Sequence, residues 1–168
     1  YGLPISAYAS MYMNGIAELV ETVGGVTVTA LETFGDFTEG QQVTLNRDNT
    51  ISYVRHRSHT VEGNNQRMER QKQVILGVAR AMLSKVRQSP TSVVSVYNTV
   101  QRNVTTDLNT ASMVYLARIA AGMELNDDVI KVEGESILGE DERHAEFIVD
   151  ETALYELILS VFYEPIDG

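Results

Sequence analysis

The sequence of 168 residues is 43% hydrophobic and 21% charged, which is typical of a globular domain and excludes disordered and fibrous proteins. It contains no cysteine, which excludes disulfide bonds, thiolate zinc sites and cysteine nucleophiles, and no run approaches the roughly 18 apolar residues of a membrane-spanning helix. The formal net charge of −10 hides a basic segment, because residues 47–87 hold 9 of the 13 Lys and Arg residues and carry a net charge of +6. Because a local potential attracts ligands of opposite sign, we expect this segment to meet an anion.

The first part of the chain is predicted to form a helix, a strand and a loop. A helix over residues 14–21 is followed by Gly24 and Gly25, which suit the left-handed backbone at a helix C-terminus. The β-branched alternation of residues 26–31 predicts a strand, and the glycine-containing residues 34–46 predict an irregular loop. We expect this strand to belong to a sheet that is incomplete within the chain and that leaves an edge open to a partner.

The middle of the chain is predicted to be helical. Asp48 is expected to cap a short helix that ends near Arg57, and a polar turn then leads to the longest helix, over residues 66–86. Apolar residues of the long helix recur at steps of three, four or seven and predict one buried stripe. They are Met68, Ile75, Val78, Met82 and Val86.

Two shorter helices are predicted beyond the long one. Residues 92–100 follow Pro90 and carry an apolar pattern that is typical of a helix. The next helix ends at Ala121 and is expected to be capped by Thr106 or Asp107.

The C-terminal part is predicted to form two strands and a last helix. The strands cover residues 129–133 and 146–149, and Asp150 caps the helix that follows. Helices outnumber strands, so the predicted fold class is α/β (α+β) with one compact core. We interpret residues 1–168 as a single domain that forms part of a larger one, because the chain has few strands for its size.

The basic segment contains a group of arginines at the junction of two predicted helices. Arg55 and Arg57 end the short helix, and Arg67, Arg70 and Gln71 lie in the first turns of the long one. Free backbone N–H groups at a helix N-terminus attract anions. Gln71 falls on the apolar stripe, so we expect it to be buried and hydrogen-bonded to one of the arginines. Guanidinium groups aimed at one helix N-terminus predict a pyrophosphate or phosphodiester site, with surface ion pairs as the alternative.

The same residues resemble the signature of the LytR–CpsA–Psr family. That signature reads Tyr-Val-Arg-x-Arg, then Gly-Asp-x-x-Arg, then Arg-Gln, and it is matched at residues 53–57, 63–67 and 70–71. The residues before the signature are also similar to the family. The resemblance therefore covers most of the chain and is strongest over residues 3–85.

The resemblance implies a three-layer α/β/α fold with a central mixed sheet, of which this chain is the C-terminal portion. It implies a membrane-anchored phosphotransferase on the extracytoplasmic face of the cell membrane, mostly in Gram-positive bacteria. Such enzymes attach polyprenyl-pyrophosphate-linked glycopolymers, of the teichoic acid or capsule type, to peptidoglycan. Carried over by position, Arg55, Arg57, Arg67 and Gln71 hold the pyrophosphate and Arg70 supports them, while the lipid tail lies in an apolar cavity between sheet and helices.

Two departures from the family pattern affect the expected activity. Asn64 stands at the family's aspartate position, which removes a charge and a base, so no residue is assigned a certain catalytic role. The resemblance also implies Mg²⁺, and we expect its ligands and a membrane anchor to lie in an N-terminal half outside this chain. Alone, the chain is expected to be inactive and to need that half or a second copy of itself as a partner.

Two other functions stay open at this stage. A non-catalytic module would bind polyprenyl phosphates without transferring them, if Asn64 abolishes turnover. A nucleic-acid-binding regulator would use the basic segment as its interface. Aromatic residues are not interleaved with the basic ones and the rest of the chain is strongly acidic, so nucleic acid is not expected as a partner.

Overall fold

The backbone of the computed structural model divides into two groups of elements. The structure describes residues 2–57, 63–126, 129–138 and 145–163. Contacts within the chain assign Ile5–Leu125 to a larger unit, and Asn126–Gly168 together with Tyr1–Pro4 to a smaller one. The expectation that residues 1–168 form a single domain stays a prediction.

The larger unit contains most of the helical structure. In chain order its elements are β1 (Ala9–Met11), α1 (Gly15–Val23), β2 (Val26–Thr29), β3 (Gln42–Leu45), α2 (Thr50–Arg55), α3 (Gly63–Gln88), α4 (Ser92–Val100), a 3-10 turn (Gln101–Asn103), β4 (Val104–Thr106) and α5 (Thr110–Ala121). β1 pairs antiparallel with β4, and β2 pairs antiparallel with β3. The helices predicted over residues 14–21, 66–86 and 92–100 are confirmed, as is the strand predicted over residues 26–31.

The smaller unit contains a strand pair and a helix. β5 (Gly134–Leu138) pairs antiparallel with β6 (Ala145–Val149), and α6 (Glu151–Phe162) follows. The strand predicted over residues 129–133 is wrong, because pairing with β6 selects the residues from Gly134 onward. The Asp150 cap is confirmed, since its carboxylate accepts two backbone amides of the first turn of α6, at 2.9 and 3.0 Å.

The mixed α/β class is confirmed by this arrangement of helices and short strands. Within the described ranges the strands form three separate antiparallel pairs. These strands alone therefore do not assemble the central mixed sheet that the family resemblance implies.

β3 was missed by the sequence prediction, which assigned residues 34–46 to an irregular loop. Along Gln42–Leu45 the residues alternate, with Leu45 fully buried and Thr44 exposed. The hydroxyl group of Thr44 lies 3.2 Å from that of Thr27 on β2. The glycines in the preceding loop favour an irregular loop, so this short alternation was not recognised as a strand. It forms a strand because it pairs with β2.

Two predicted helix caps are wrong, and asparagines take their places. The N-cap residue of α2 is Asn49 and not Asp48. The backbone amides of Asp48 and Asn49 donate to Asn46 Oδ1 at 2.9 and 3.3 Å, so Asn46 forms the turn before the helix. Asn109 caps α5 by accepting a backbone amide at 2.9 Å, in place of Thr106 or Asp107. Asparagine suits both positions because its short side chain accepts hydrogen bonds from nearby backbone groups.

The core of the larger unit fixes the rotation of α3. The core residues are Val20, Val23, Val26, Val28, Ala30, Phe37, Leu45, Tyr53, Val54 and Val74. Val74 and Arg70 are fully buried on α3, whereas Met68 and Ile75 are 52% and 60% exposed. The predicted stripe is therefore wrong in the N-terminal half of α3, where α2 and β2 pack against a different face. It holds nearer the C-terminus, where Val86 is buried.

Gly77 allows α3 to approach β2 closely. A Cβ atom added at Gly77 would lie 2.1 Å from Val26 Cγ1, which is part of the core. We therefore expect Gly77→Ala to lower the free energy of unfolding by about 1–3 kcal/mol through overpacking, although alanine normally favours a helix over glycine. Urea denaturation measures the change. Gly122→Ala is the control, because a Cβ there meets its nearest neighbour at 3.6 Å, and equal stability of the two variants would contradict the close packing.

Candidate functional site

The signature residues meet where the end of α2 contacts the second and third turns of α3. Arg70 is fully buried at this junction. Its Nε donates to the carbonyl oxygen of Tyr53 at 2.9 Å, and its two terminal nitrogens donate to the carbonyl oxygen of His56 and to the carboxylate of Glu32. Each guanidinium nitrogen thus has a partner within the chain. Arg70 therefore holds the backbone at the C-terminal end of α2. Its expected supporting role in anion binding stays a prediction.

Gln71 makes the second contact between α3 and the end of α2. The side chain is half-buried, and its Nε2 donates to the carbonyl oxygen of Val54 at 3.3 Å. The expected hydrogen bond from Gln71 to an arginine is therefore wrong. The last carbonyls of a helix have no partner within it, and α2 ends at Arg55. Arg70 and Gln71 together supply partners for two of these carbonyls, those of Tyr53 and Val54.

The other predicted anion-binding residues lie around this junction. Arg55, in the last turn of α2, and Arg57, just beyond it, are both exposed. Arg67 is half-buried and lies one turn before Gln71 on the same face of α3. The side chain of Asn64 lies outside the described residues. The structure thus places two arginines at the surface on a segment that α3 holds, while their roles as pyrophosphate ligands stay predictions.

Two residues of the loop between β2 and β3 belong to the junction and were missed by the sequence analysis. The Glu32 carboxylate accepts from Arg70 and lies 3.7 Å from His56 Nε2. The ring of Phe34 stacks on the imidazole of His56, with centroids 3.8 Å apart and planes at 5°, and the guanidinium of Arg70 lies 5.3 Å from its centre. Glu32 and Arg70 are 38 residues apart, so no local pattern links them.

Tyr53 anchors α2 in the core beneath the junction. Its ring contacts that of Phe37 at a centroid distance of 5.0 Å, and its hydroxyl donates to Gln73 Oε1 at 2.6 Å. Burial raises the pKa of Tyr53 to about 12, with Arg70 lowering it and Glu32 raising it to smaller extents. The hydroxyl is therefore neutral at physiological pH and serves as a fixed hydrogen-bond donor.

The raised pKa of Tyr53 predicts a loss of stability in alkali. The folded state holds this proton more tightly than the unfolded chain, whose tyrosines titrate near pH 10. The contribution is therefore fully present below pH 10 and is lost as the pH rises from about 10 to about 12. Tyr53→Phe is expected to be about 1 kcal/mol less stable than the wild type at pH 7, because a hydrogen bond is lost. Urea denaturation from pH 7 to 12 should show this difference narrowing above pH 10; a constant difference would contradict the raised pKa.

An apolar cavity lies within the larger unit, and none of the predicted site residues is in its lining. It has a volume of about 400 Å³ and is bordered by α3, α4 and α5. Among its lining residues are Met82, Val86, Val93, Met113 and Leu116. In the smaller unit, a cavity of about 790 Å³ is lined by residues of β6 and α6 and by Tyr163, and it contains none of the predicted site residues.

Clusters of metal-ligating side chains and membrane-spanning helices are both absent from the residues that the structure describes. Within these ranges no three His, Cys, Asp or Glu side chains come together in a way that could hold a metal ion. This part of the chain therefore does not fit Mg²⁺, and ligands outside it stay a prediction. No helix in the described part has the length and apolar character to cross a bilayer.

The fold and the junction define an α/β protein that presents two arginines at the end of a helix held by its neighbour. The chain belongs to the LytR–CpsA–Psr family, because the family model described as LytR_cpsA_psr family matches residues 1–157. The match includes the whole signature, all of the larger unit and the smaller unit as far as residue 157.

Individual relatives agree with this family. The polyisoprenyl-teichoic acid–peptidoglycan teichoic acid transferase TagU of Enterococcus faecalis is 35% identical over 119 residues, covering 68% of this chain and 38% of the relative. The crystal structure of the Lin1025 protein from Listeria innocua is 27% identical, with a TM-score of 0.64, and the match covers 95% of this chain and 69% of that one. Protein gbs0355 from Streptococcus agalactiae shows the same fold, with a TM-score of 0.74, 20% identity, and 99% and 60% of the two chains covered. The chain spans between 36% and 44% of the length of the curated relatives it matches.

Proposed function

We propose that the protein containing this chain is a cell-envelope phosphotransferase that attaches polyprenyl-pyrophosphate-linked glycopolymers to peptidoglycan. Membership of the LytR–CpsA–Psr family supports this proposal. It is also supported by relatives that are named as transferases of teichoic acid to peptidoglycan. This chain would contribute the residues that hold the pyrophosphate.

The main observation behind the proposal is that side chains of α3 donate hydrogen bonds to the carbonyls at the C-terminal end of α2. Carbonyl oxygens at a helix C-terminus carry partial negative charge, which repels an anion. Arg70 and Gln71 donate to three carbonyls at this end of α2, so that their negative charge is offset by the protein itself. Arg55 and Arg57 are exposed on the same segment and can bind phosphate oxygens through charge-assisted hydrogen bonds.

Paired arginines suit the transfer of a phosphoglycan. A hydroxyl group of peptidoglycan would attack the phosphorus that carries the glycan, and the bond to polyprenyl phosphate would break. Negative charge then builds up on the oxygens of the leaving phosphate. Arg55 and Arg57 would stabilise this charge in the transition state, which is the main way in which a protein accelerates phosphoryl transfer.

The apolar cavity offers a place for the lipid carrier. Gln71 and Val86 stand 15 residues apart on α3, which corresponds to about 22 Å along the helix. A polyprenyl chain is long enough to extend over this distance from a pyrophosphate at the arginines. We place the reaction at the extracytoplasmic face of the cell membrane. An N-terminal half of the domain, or a second copy of the chain, would complete the site and supply the ligands of Mg²⁺.

A non-catalytic binding module is the second candidate, and Asn64 favours it. An asparagine at the family's aspartate position can hydrogen-bond but cannot act as a base. Under this alternative the protein binds polyprenyl pyrophosphate and forms no product. Binding and transfer therefore have to be measured in the same preparation.

The test is transfer of a teichoic acid precursor by the full-length protein. Polyprenyl-pyrophosphate-linked precursor and peptidoglycan are incubated with the protein, and glycopolymer bound covalently to peptidoglycan is measured. We expect attachment by the wild type, its loss in Arg55→Ala/Arg57→Ala, and its retention in Arg118→Ala, which removes an exposed arginine from α5. Binding without attachment would support the non-catalytic module, and absence of both would overturn the proposal.

A further inference from the structure

We infer that Glu32 is a positioning residue for the anion-binding segment, which comprises residues 53–57. This inference rests on the proposed function, because it concerns how Arg55 and Arg57 are held for the ligand. Glu32 itself lies in the loop between β2 and β3, outside the family signature. It would act through Arg70 and His56 and need not contact the substrate.

Arg70 is buried and depends on Glu32 for its counter-charge. Its side chain is fully buried, and a buried guanidinium is costly unless an opposite charge neutralises it. The carboxylate that contacts it belongs to Glu32, whose side chain is 17% exposed. With that charge removed, Arg70 would gain by turning toward water. The carbonyls of Tyr53 and His56 would then lose their donor, and the segment between them would be released.

Glu32 and Phe34 also contact His56. Glu32 lies 3.7 Å from the imidazole Nε2, and the Phe34 ring stacks on the imidazole from the same loop. His56 lies between the two exposed arginines in the sequence, so holding His56 in place also holds the backbone at both of them. Glu32 therefore acts on the segment at two points.

The loop that carries Glu32 is held in shape by backbone hydrogen bonds. Phe34 and Phe37 exchange two backbone hydrogen bonds, of 3.0 and 2.9 Å. At the base of the loop, Ala30 donates to Gln41 at 2.9 Å and accepts from Gly40 at 2.8 Å. These bonds make the loop a rigid support, which a positioning residue needs.

The two roles that Glu32 could have, positioning the arginines or acting through its charge alone, predict opposite changes in anion affinity for Glu32→Gln. Removing a negative charge near an anion site strengthens anion binding if the charge acts only through its field. If Glu32 positions the arginines, the same substitution weakens binding. The direction of the change therefore separates the two roles without reference to its size.

The experiment titrates inorganic pyrophosphate into the full-length protein and its variants. We expect the affinity to fall about tenfold in Glu32→Gln, equivalent to one lost hydrogen bond to a charged group, and to recover partly in Glu32→Asp. Glu39→Gln is the matched control, because it removes an exposed carboxylate from the same loop. Hydrogen exchange of the His56 amide, which donates to the Ser52 carbonyl, reports the segment without any ligand and should accelerate in Glu32→Gln.

The outcomes distinguish a failure of the inference from a failure of the proposed function. Unchanged or stronger pyrophosphate binding in Glu32→Gln would overturn the inference, as would an unchanged exchange rate of the His56 amide. A loss of affinity as large in Glu39→Gln would overturn it as well. If the wild type does not bind pyrophosphate, the proposed function fails, whereas the exchange rate still decides whether Glu32 holds the segment. Should Glu32→Gln fail to fold, weaker binding in folded Glu32→Asp than in Glu39→Gln is the supporting result and equal binding the contradicting one.

Discussion

Arg70→Met is expected to lower the free energy of unfolding by about 3–5 kcal/mol, the largest effect on stability that we predict. The substitution removes the donor to the carbonyls of Tyr53 and His56 and leaves the carboxylate of Glu32 without its buried partner. An isolated buried charge costs more than the net value of the pair that contained it. Urea denaturation of the full-length protein at pH 7 measures the change.

The control for this prediction is Arg102→Met, which makes the same substitution at an exposed arginine. It should change stability by less than about 0.5 kcal/mol, as is usual for surface positions. The double variant Arg70→Met/Glu32→Leu should recover part of the loss, because both charges of the pair are then gone. Equal stabilities of Arg70→Met and Arg102→Met would show that Arg70 does not hold α2.

Arg67→Ala is expected to weaken pyrophosphate binding by about tenfold to a hundredfold, the largest effect on binding expected from one substitution. Loss of one hydrogen bond to a charged group costs about 1.5–3 kcal/mol, and each 1.4 kcal/mol is about tenfold in affinity. Arg67→Lys should restore only part of the affinity, because an ammonium group cannot form the two parallel hydrogen bonds of a guanidinium. Isothermal titration calorimetry measures these affinities.

Salt provides a second readout for Arg67. Arginines that reach an anion from a half-exposed site are screened by ions, so the wild-type affinity should fall as the salt concentration rises. The fall should be smaller in Arg67→Ala, which has one attracting charge less. Arg118→Ala should behave like the wild type at both salt concentrations. An Arg67→Ala variant with wild-type affinity would show that Arg67 does not contact the anion.

The long helix was predicted well because its signal is local, whereas the anion expected at the basic segment stays a prediction. Apolar spacing within one helix and the clustering of arginines are visible in the sequence without knowledge of any other element. The caps were less predictable, since several polar residues precede each helix and each can accept a backbone amide. Asp150 was identified correctly, whereas Asn49 and Asn109 occupy the positions that were assigned to Asp48 and to Thr106 or Asp107.

The rotation of α3 could not be predicted because it depends on what packs against the helix. Met68 and Ile75 fit an apolar stripe, yet α2 and β2 contact the face that carries Arg70 and Val74. An arginine is seldom assigned to a core, since its burial requires a counter-charge. That counter-charge is Glu32, which is distant in the sequence and therefore invisible to a local pattern.

The residues of the family signature occupy two different environments in the structure. The ligand-binding role expected of its final Arg-Gln pair stays a prediction, and in the structure both side chains donate to carbonyls at the end of α2. Tyr53, at the start of the signature, is buried in the core and donates to Gln73. The signature thus combines residues that hold the segment with exposed arginines that can reach a ligand. Spacing alone does not separate these two classes, because buried Tyr53 and exposed Arg55 and Arg57 follow one another at steps of two residues.

Titration of inorganic pyrophosphate into the full-length protein tests most directly whether Arg55 and Arg57 form an anion site. The wild type is expected to bind, and Arg55→Ala/Arg57→Ala to lose at least about a hundredfold in affinity, since two charge-assisted contacts are removed. The stability of the double variant should stay close to that of the wild type, because both side chains are exposed. Equal affinity of the wild type and this double variant would contradict the account, because the exposed arginines would then play no part in binding the anion.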